Sequence, residues 1–278
     1  MRRKYMSKRD RQVNSKKIDK WLKEGRGQGE LKDYHPWLTI RDVPSKGVVT
    51  RSKGWKTNRV HHLFSNLELH YFYTLEWSDA VIDIREQYPL LPLERTLEIA
   101  ESLGIKHPTD PKTKEYIVMT TDFLISKRTK DGIVLESRTV KPSSELKGRT
   151  LEKFAIEQEY FREKGISWGI VTDLDKPNEF IKNMQFIYCF KDISDVKGLS
   201  ASNINIVSET LFEQIKSKSE SLASVALEND EKFGFEPGTC LTLLKYKIAK
   251  KEWKVDMSKE LNPLNVVSVT KEEIVKHG

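Results

Sequence analysis

An α/β fold is predicted, a mixed sheet flanked by helices, followed by a smaller α+β domain. Three observations predict it. Runs rich in β-forming residues alternate with helical spacing as far as residue 172. An Asp131-Gly132 turn joins two such runs as a hairpin. After Asp173 the pattern changes to successive helices. The expected division is therefore 1–175 and 176–278. No internal repeat or low-complexity tract stands out.

Residues 7–24 carry Val13, Ile18 and Leu22, with Trp21 beside them, among many lysines, which predicts a weakly amphipathic helix. Gly25-Arg26-Gly27-Gln28-Gly29 ends it. Three glycines in five residues let a backbone approach a phosphate closely, and they equally make a helix C-cap and turn. Residues 30–60 read as irregular. Their Trp37, Trp55 and basic run from Lys46 to Arg59 suit either a nucleic-acid surface or a hairpin packed on a core. Ser65-Asn66-Leu67-Glu68 opens a helix that runs to about Glu76. Val81 to Ile84 is a strand, and Gln87 to Leu91 is a separate extended piece broken by Pro89. Tyr116 to Ile125 and Ile133 to Val140 are the hairpin strands, and 149–164 is a helix. Gly165 to Thr172 is mostly apolar and is expected to be a central strand. Helices follow at 178–188, 207–228 and 239–250, then two short strands at Trp253–Met257 and Val266–Val269. Helices followed by a hairpin is the order of a winged helix; a purely structural helical cap fits the same order.

Composition narrows the class of function. No apolar run reaches the roughly 20 residues of a membrane span, so no membrane association is expected. The start, Met1-Arg2-Arg3-Lys4-Tyr5, lacks the apolar stretch of a secretory signal. The two cysteines, Cys189 and Cys240, are too few and too isolated for a disulfide scaffold or a zinc ribbon, and a reducing cytoplasm is the expected compartment. The net charge is +7, yet residues 1–60 hold 18 Lys or Arg against 6 Asp or Glu. A basic first fifth on a near-neutral body points to a polyanion, DNA or RNA, or else to a solvated tail.

Three residues draw together chemically. Asp122 lies on one hairpin strand, Lys141 just past the end of the other, and Glu68 in the first turn of the preceding helix. Strand alternation gives Thr139 and Lys141 a shared face. Two carboxylates can hold Mg²⁺, which takes oxygen ligands and keeps several waters. The metal polarises a phosphate and lowers the pKa of a bound water, and a nearby lysine can position that water and offset phosphate charge. Each residue also has a duller reading. Glu68 completes a Ser65-x-x-Glu68 capping box, Asp122 can face solvent at a strand end, and Lys141, before Pro142, can be a surface lysine.

A longer series of words settles which reading to pursue. Glu24-Gly25-Arg26-Gly27-Gln28-Gly29, Lys32-Asp33-Tyr34, Pro36-Trp37-Leu38-Thr39, Arg59-Val60-His61-His62-Leu63, Leu67-Glu68-Leu69 and Leu75-Glu76-Trp77 begin it. Asp83 through Leu91, Gly104-Ile105-Lys106-His107-Pro108, Thr121-Asp122-Phe123-Leu124, Val140-Lys141-Pro142 and Arg149-Thr150-Leu151-Glu152-Lys153 continue it. In this order, over roughly residues 24–172, the chain resembles the TnsA family, the endonuclease subunits of heteromeric transposases of the Tn-seven type. The last third matches more loosely. The resemblance implies a restriction-endonuclease-like fold in which Glu68, Asp122 and Lys141 are catalytic. Glu68, Asp122 and the Val140 backbone carbonyl would ligate Mg²⁺, with Mn²⁺ able to substitute. The family's site commonly has Gln where Thr139 stands; a Thr hydroxyl is shorter, so its role as a ligand is in doubt. Glu136 points to the opposite face, and Glu157 is a candidate outer-shell acid. The implied activity is phosphodiester hydrolysis at the 5′ ends of a transposon, beside a TnsB-type transposase and a TnsC-type AAA+ regulator. The C-terminal winged-helix-like region would contact a partner or DNA. The basic first fifth would hold DNA phosphates, with Arg26, Lys53, Lys56 and Arg59 as the expected contacts. Two rivals stay open at this point: a non-catalytic DNA-binding and assembly subunit, motivated by Thr139, and a stand-alone restriction or repair nuclease.

Overall fold

The computed structural model describes residues 13–43, 48–194 and 196–271. The chain divides into two compact units, Met1–Lys176 and Pro177–Gly278.

In the first unit, α1 (Ser15–Lys23) starts where Asn14 accepts a hydrogen bond from the Lys17 N–H at 2.9 Å. The expected start at residue 7 lies outside the described residues. The basic run from Lys46 is described only from residue 48. There the chain forms a hairpin, β1 (Thr50–Lys53) with β2 (Val60–Leu63), so 30–60 is more ordered than its sequence suggests. α2 (Asn66–Trp77) follows on the Ser65 cap. β3 (Val81–Pro89) is one strand, not two pieces, because Pro89 falls at its last position, where no further ladder hydrogen bond is required of it. α3 (Leu93–Ser102) is a helix that the sequence reading passes over. β4 (Thr120–Thr129) and β5 (Gly132–Val140) form the expected hairpin about Asp131-Gly132, with Gly132 at φ +123°. α4 (Arg149–Glu163) and β6 (Ser167–Val171) complete the unit.

The sheet order is β3-β4-β5-β6, antiparallel except for the parallel β5–β6 pair. β6 is thus an edge strand, not the expected central one. Its apolar character serves the α4 side, where Ile166 and Trp168 pack with Leu90, Ile99, Leu124, Ile156 and Phe161. On the other side, α2 brings Tyr71 edge-on to Phe123 at 5.6 Å. The glycine-rich loop after α1 lies against the sheet at Gly27. A Cβ at Gly27 would stand 2.3 Å from Pro89 Cγ, and the Gly27 N–H donates to the His35 carbonyl at 2.6 Å.

The second unit is helical: α5 (Asn178–Ile187), α6 (Ile204–Ser217), α7 (Leu222–Phe233) and α8 (Thr239–Ala249). The single helix expected at 207–228 is two, because the serine-rich stretch to Ser221 breaks it and Ser221 caps α7, accepting from the Ser224 N–H at 3.1 Å. Buried Asp230 accepts from the N–H groups of Gly238 and Cys240 and so fixes the start of α8. Of the expected hairpin, the first strand shortens to β7 (Trp253–Lys254), and its partner is β8 (Thr270–Lys271), just past the expected Val266–Val269, which forms no strand. Among the described residues no helix is long and apolar enough to cross a membrane.

Candidate active site

Glu68 sits in the first turn of α2 and is 6% exposed. The capping-box reading is realised in part: Ser65 Oγ accepts from the Glu68 N–H at 3.1 Å and donates to Oε1 at 3.0 Å. The Phe64 N–H donates to Oε2 at 2.9 Å. The cap therefore holds the carboxylate rigidly without supplying a counter-charge. Asp122, on β4, accepts from the Val140 N–H at 2.7 Å through Oδ2 and from Gln87 Nε2 at 3.2 Å through Oδ1.

The two acids feel each other. Burial and then the charge of Asp122 push the Glu68 carboxyl up to about 8. Burial likewise raises Asp122, against the Val140 and Gln87 hydrogen bonds and the Lys141 charge. Lys141 opposes the shift of both groups, which brings the three expected residues into one electrostatic cluster. The Lys141 ammonium itself is paired with Glu145 at 2.7 Å, and its backbone N–H is held by the Val171 carbonyl at 2.9 Å.

Thr139 is turned elsewhere. Its hydroxyl donates to Glu157 on α4 and lies 3.3 Å from Thr121 Oγ1. The hydroxyl proton is thus engaged by Glu157, which sets Thr139 apart from the Glu68–Asp122 pair. Burial pushes Glu157 up to about 7, and the Asp122 charge adds to that shift. Glu136 is held by Lys127 at 2.7 Å and Arg138 at 2.8 Å, away from the cluster as strand alternation predicts.

Among the described residues no three His, Cys, Asp or Glu side chains gather to hold a metal ion. The donor set is two carboxylates, with backbone oxygen and water left to complete a shell. That suits a hard cation bound by one or two carboxylates and its substrate's phosphates. Two buried acids raised by burial and, for Glu68, by its neighbour's charge are also a site that a divalent cation would relieve.

Two of the four expected DNA contacts are corrected. The Arg59 guanidinium forms a fork on Glu86, at 2.8 and 2.5 Å, donates to the Ile84 carbonyl at 2.7 Å, and is 8% exposed. Arg26 donates to the Trp37 carbonyl and to Asp42, both at 2.9 Å, over the Trp21 ring. Both are internal braces. Lys56 donates to the Ser78 carbonyl at 2.7 Å, while Lys53 is exposed on β1. The sequence reading missed Glu86, His61 and Gln87 as working residues. Glu86 is a buried acid whose charged partners, Arg59 and His61, lie 27 and 25 residues away, and no local pattern reveals that.

Comparison with known proteins identifies the family. The model of the TnsA-like endonuclease N terminal matches residues 78–173, a span that includes Asp122 and Lys141 but starts after Glu68. The model of the TnsA endonuclease C terminal matches residues 176–257. Over 239 residues the chain is 39% identical to the transposon Tn7 transposition protein TnsA of Escherichia coli, across 85% of this chain and 84% of that one. With both halves matched in order and 39% identity across most of both chains, the chain belongs to the TnsA family of transposon-cutting DNA endonucleases.

Proposed function

We propose that this endonuclease is Mg²⁺-dependent and hydrolyses phosphodiester bonds at the 5′ ends of a transposon during cut-and-paste transposition. Membership of the family implies a divalent metal ion and, as partners, DNA and other transposition proteins. Glu68, Asp122 and the Val140 carbonyl would hold the ion, and Mn²⁺ would replace it. When bound, the ion supplies a polarised phosphate and a more acidic water. Asp122 keeps its carboxylate aimed through the Val140 N–H and Gln87. Lys141 sits at the end of β5, where its ammonium can leave Glu145 and neutralise charge on a scissile phosphate. Glu157 stands behind Thr139 as an outer acid. The observation that carries the reading is that buried Glu68 and half-buried Asp122 lie close enough for the Asp122 charge to raise Glu68 and for Lys141 to oppose the shift of both.

The finer architecture belongs to the same proposal. The first unit is restriction-endonuclease-like, its acids contributed by a helix and a hairpin. The second is winged-helix-like, with β7 and β8 as a very short wing. Its role is contact with DNA or with a TnsC-type AAA+ regulator, while a TnsB-type transposase cuts the 3′ ends. Both cysteines are free thiols, in keeping with a reducing cytoplasm. Nicking by the assembled transposase is the test. Asp122→Ala is expected to abolish 5′ cleavage and leave 3′ cleavage intact; 5′ cleavage retained in that variant would sink the assignment.

A further inference from the structure

Gln87 lies inside β3 with φ +48°, the left-handed region that residues with a side chain seldom adopt within a strand. It is 4% exposed. Every hydrogen-bonding end of its side chain is used: Nε2 donates to Asp122 Oδ1 at 3.2 Å, and Oε1 accepts from Thr120 Oγ1 at 3.2 Å. An ionised Asp122 can only accept, so it draws the amide nitrogen, and the Thr120 hydroxyl, free to donate, meets the oxygen. The backbone is pinned as well. The Gln87 carbonyl accepts from the Trp37 N–H at 3.2 Å, the Glu86 carbonyl accepts from Tyr34 Oη at 3.1 Å, and Gly27 packs on Pro89. An unusual conformation clamped from several sides, beside a buried acid, marks an over-determined position. The residue type also fits. A neutral donor steadies an ionised Asp122; a carboxylate there would repel it, and an ammonium would compete with a cation.

We propose that Gln87 is a positioning residue for the metal site, held in its left-handed conformation by the Trp37 segment and fixing the Asp122 carboxylate so that its remaining lone pairs face Glu68. On this view the glycine-rich stretch from Glu24 to Trp37 is a brace for the active site and not a phosphate loop. The proposal rests on the reading of Glu68 and Asp122 as metal ligands.

The test is Mn²⁺ binding by the full-length protein, followed by titration calorimetry and by the electron paramagnetic resonance of free Mn²⁺. Gln87→Asn keeps an amide and tolerates positive φ, yet is one methylene too short to reach Asp122. Its Mn²⁺ affinity is expected to fall roughly 10- to 100-fold, the range for loss of an outer-shell partner, with the metal-free melting temperature unchanged. A folded Gln87→Asn that binds Mn²⁺ as tightly as the parent would overturn the proposal, while loss of binding in Asp122→Ala would keep the metal-site reading standing. Equal binding by the parent and Asp122→Ala, or no binding by the parent, would overturn both. Should Gln87→Asn not fold, Gln87→Gly, the residue most tolerant of positive φ, decides by the same criterion. Unfolding of both variants would make Gln87 a fold determinant and also overturn the positioning role.

Discussion

Glu86 and the Glu68–Asp122 pair are buried acids of the same unit with opposite electrostatics. Burial alone would raise Glu86, but the charges of His61 and Arg59 and their hydrogen bonds outweigh it and hold the carboxyl far below the usual range. The Thr57–His61–Glu86 chain, at 2.7 and 2.8 Å, and the Arg59 fork tie β2 to β3. Glu68 and Asp122 receive mainly neutral donors, with a lysine that is itself paired to Glu145, and both are pushed up. Burial of an acid therefore does not mark a functional site; burial without an adequate counter-charge does. One cluster is complete in the folded chain; on the proposed reading the other would be completed by a cation.

That contrast can be broken in several ways. Glu86→Ala leaves Arg59 and His61 buried without their carboxylate and is expected to cost about 3–5 kcal/mol in denaturant unfolding; a loss under about 1 kcal/mol would erase the distinction. The second expectation concerns pH. Glu68 is raised from 4.5 to about 8, so the folded state holds a proton that the unfolded state has lost between those values. Metal-free stability relative to Glu68→Gln should therefore decline as pH rises through that window, by up to a few kcal/mol. Saturating Mn²⁺ should reverse the trend, since the ligands must be deprotonated to bind it. Melting temperatures from pH 5 to 8 check both signs, and a parent-minus-variant difference that grows with pH would contradict them. Arg59→Lys keeps the charge but loses the fork, and should cost roughly 1–3 kcal/mol with no change in the salt dependence of DNA binding. Lys53→Ala should do the converse: stability within about 0.5 kcal/mol of the parent, and a salt slope for DNA binding smaller by about one. An unchanged slope would remove Lys53 from the DNA surface.

The fold was legible where periodicity is local. α2, the β4–β5 hairpin and α4 follow from apolar spacing and from Asp131-Gly132. The edge position of β6 was not legible, because an apolar strand reads alike whether it is flanked on both sides or packed only against α4. Nor was the break between α6 and α7, where apolar spacing continues on both sides of a short serine-rich stretch. In the site, Glu68, Asp122 and Lys141 were singled out by residue type and by the order of the family's words, and the fold brings their charges within reach of one another. The partner of Thr139 was not legible, because its strand position says which face it shares but not that Glu157 waits there.

Arg26 and Arg59 mark the boundary most clearly. The chain's residues alone determined that the first fifth is basic, that a hairpin would carry Asp122 towards Lys141, and that Glu68 would open a helix. Only the tertiary structure decided which charges face inward. Net charge is a sum over residues, whereas desolvation depends on what packs around each one, so Arg59 meets a buried carboxylate 27 positions away while Asp122 meets an amide and another acid.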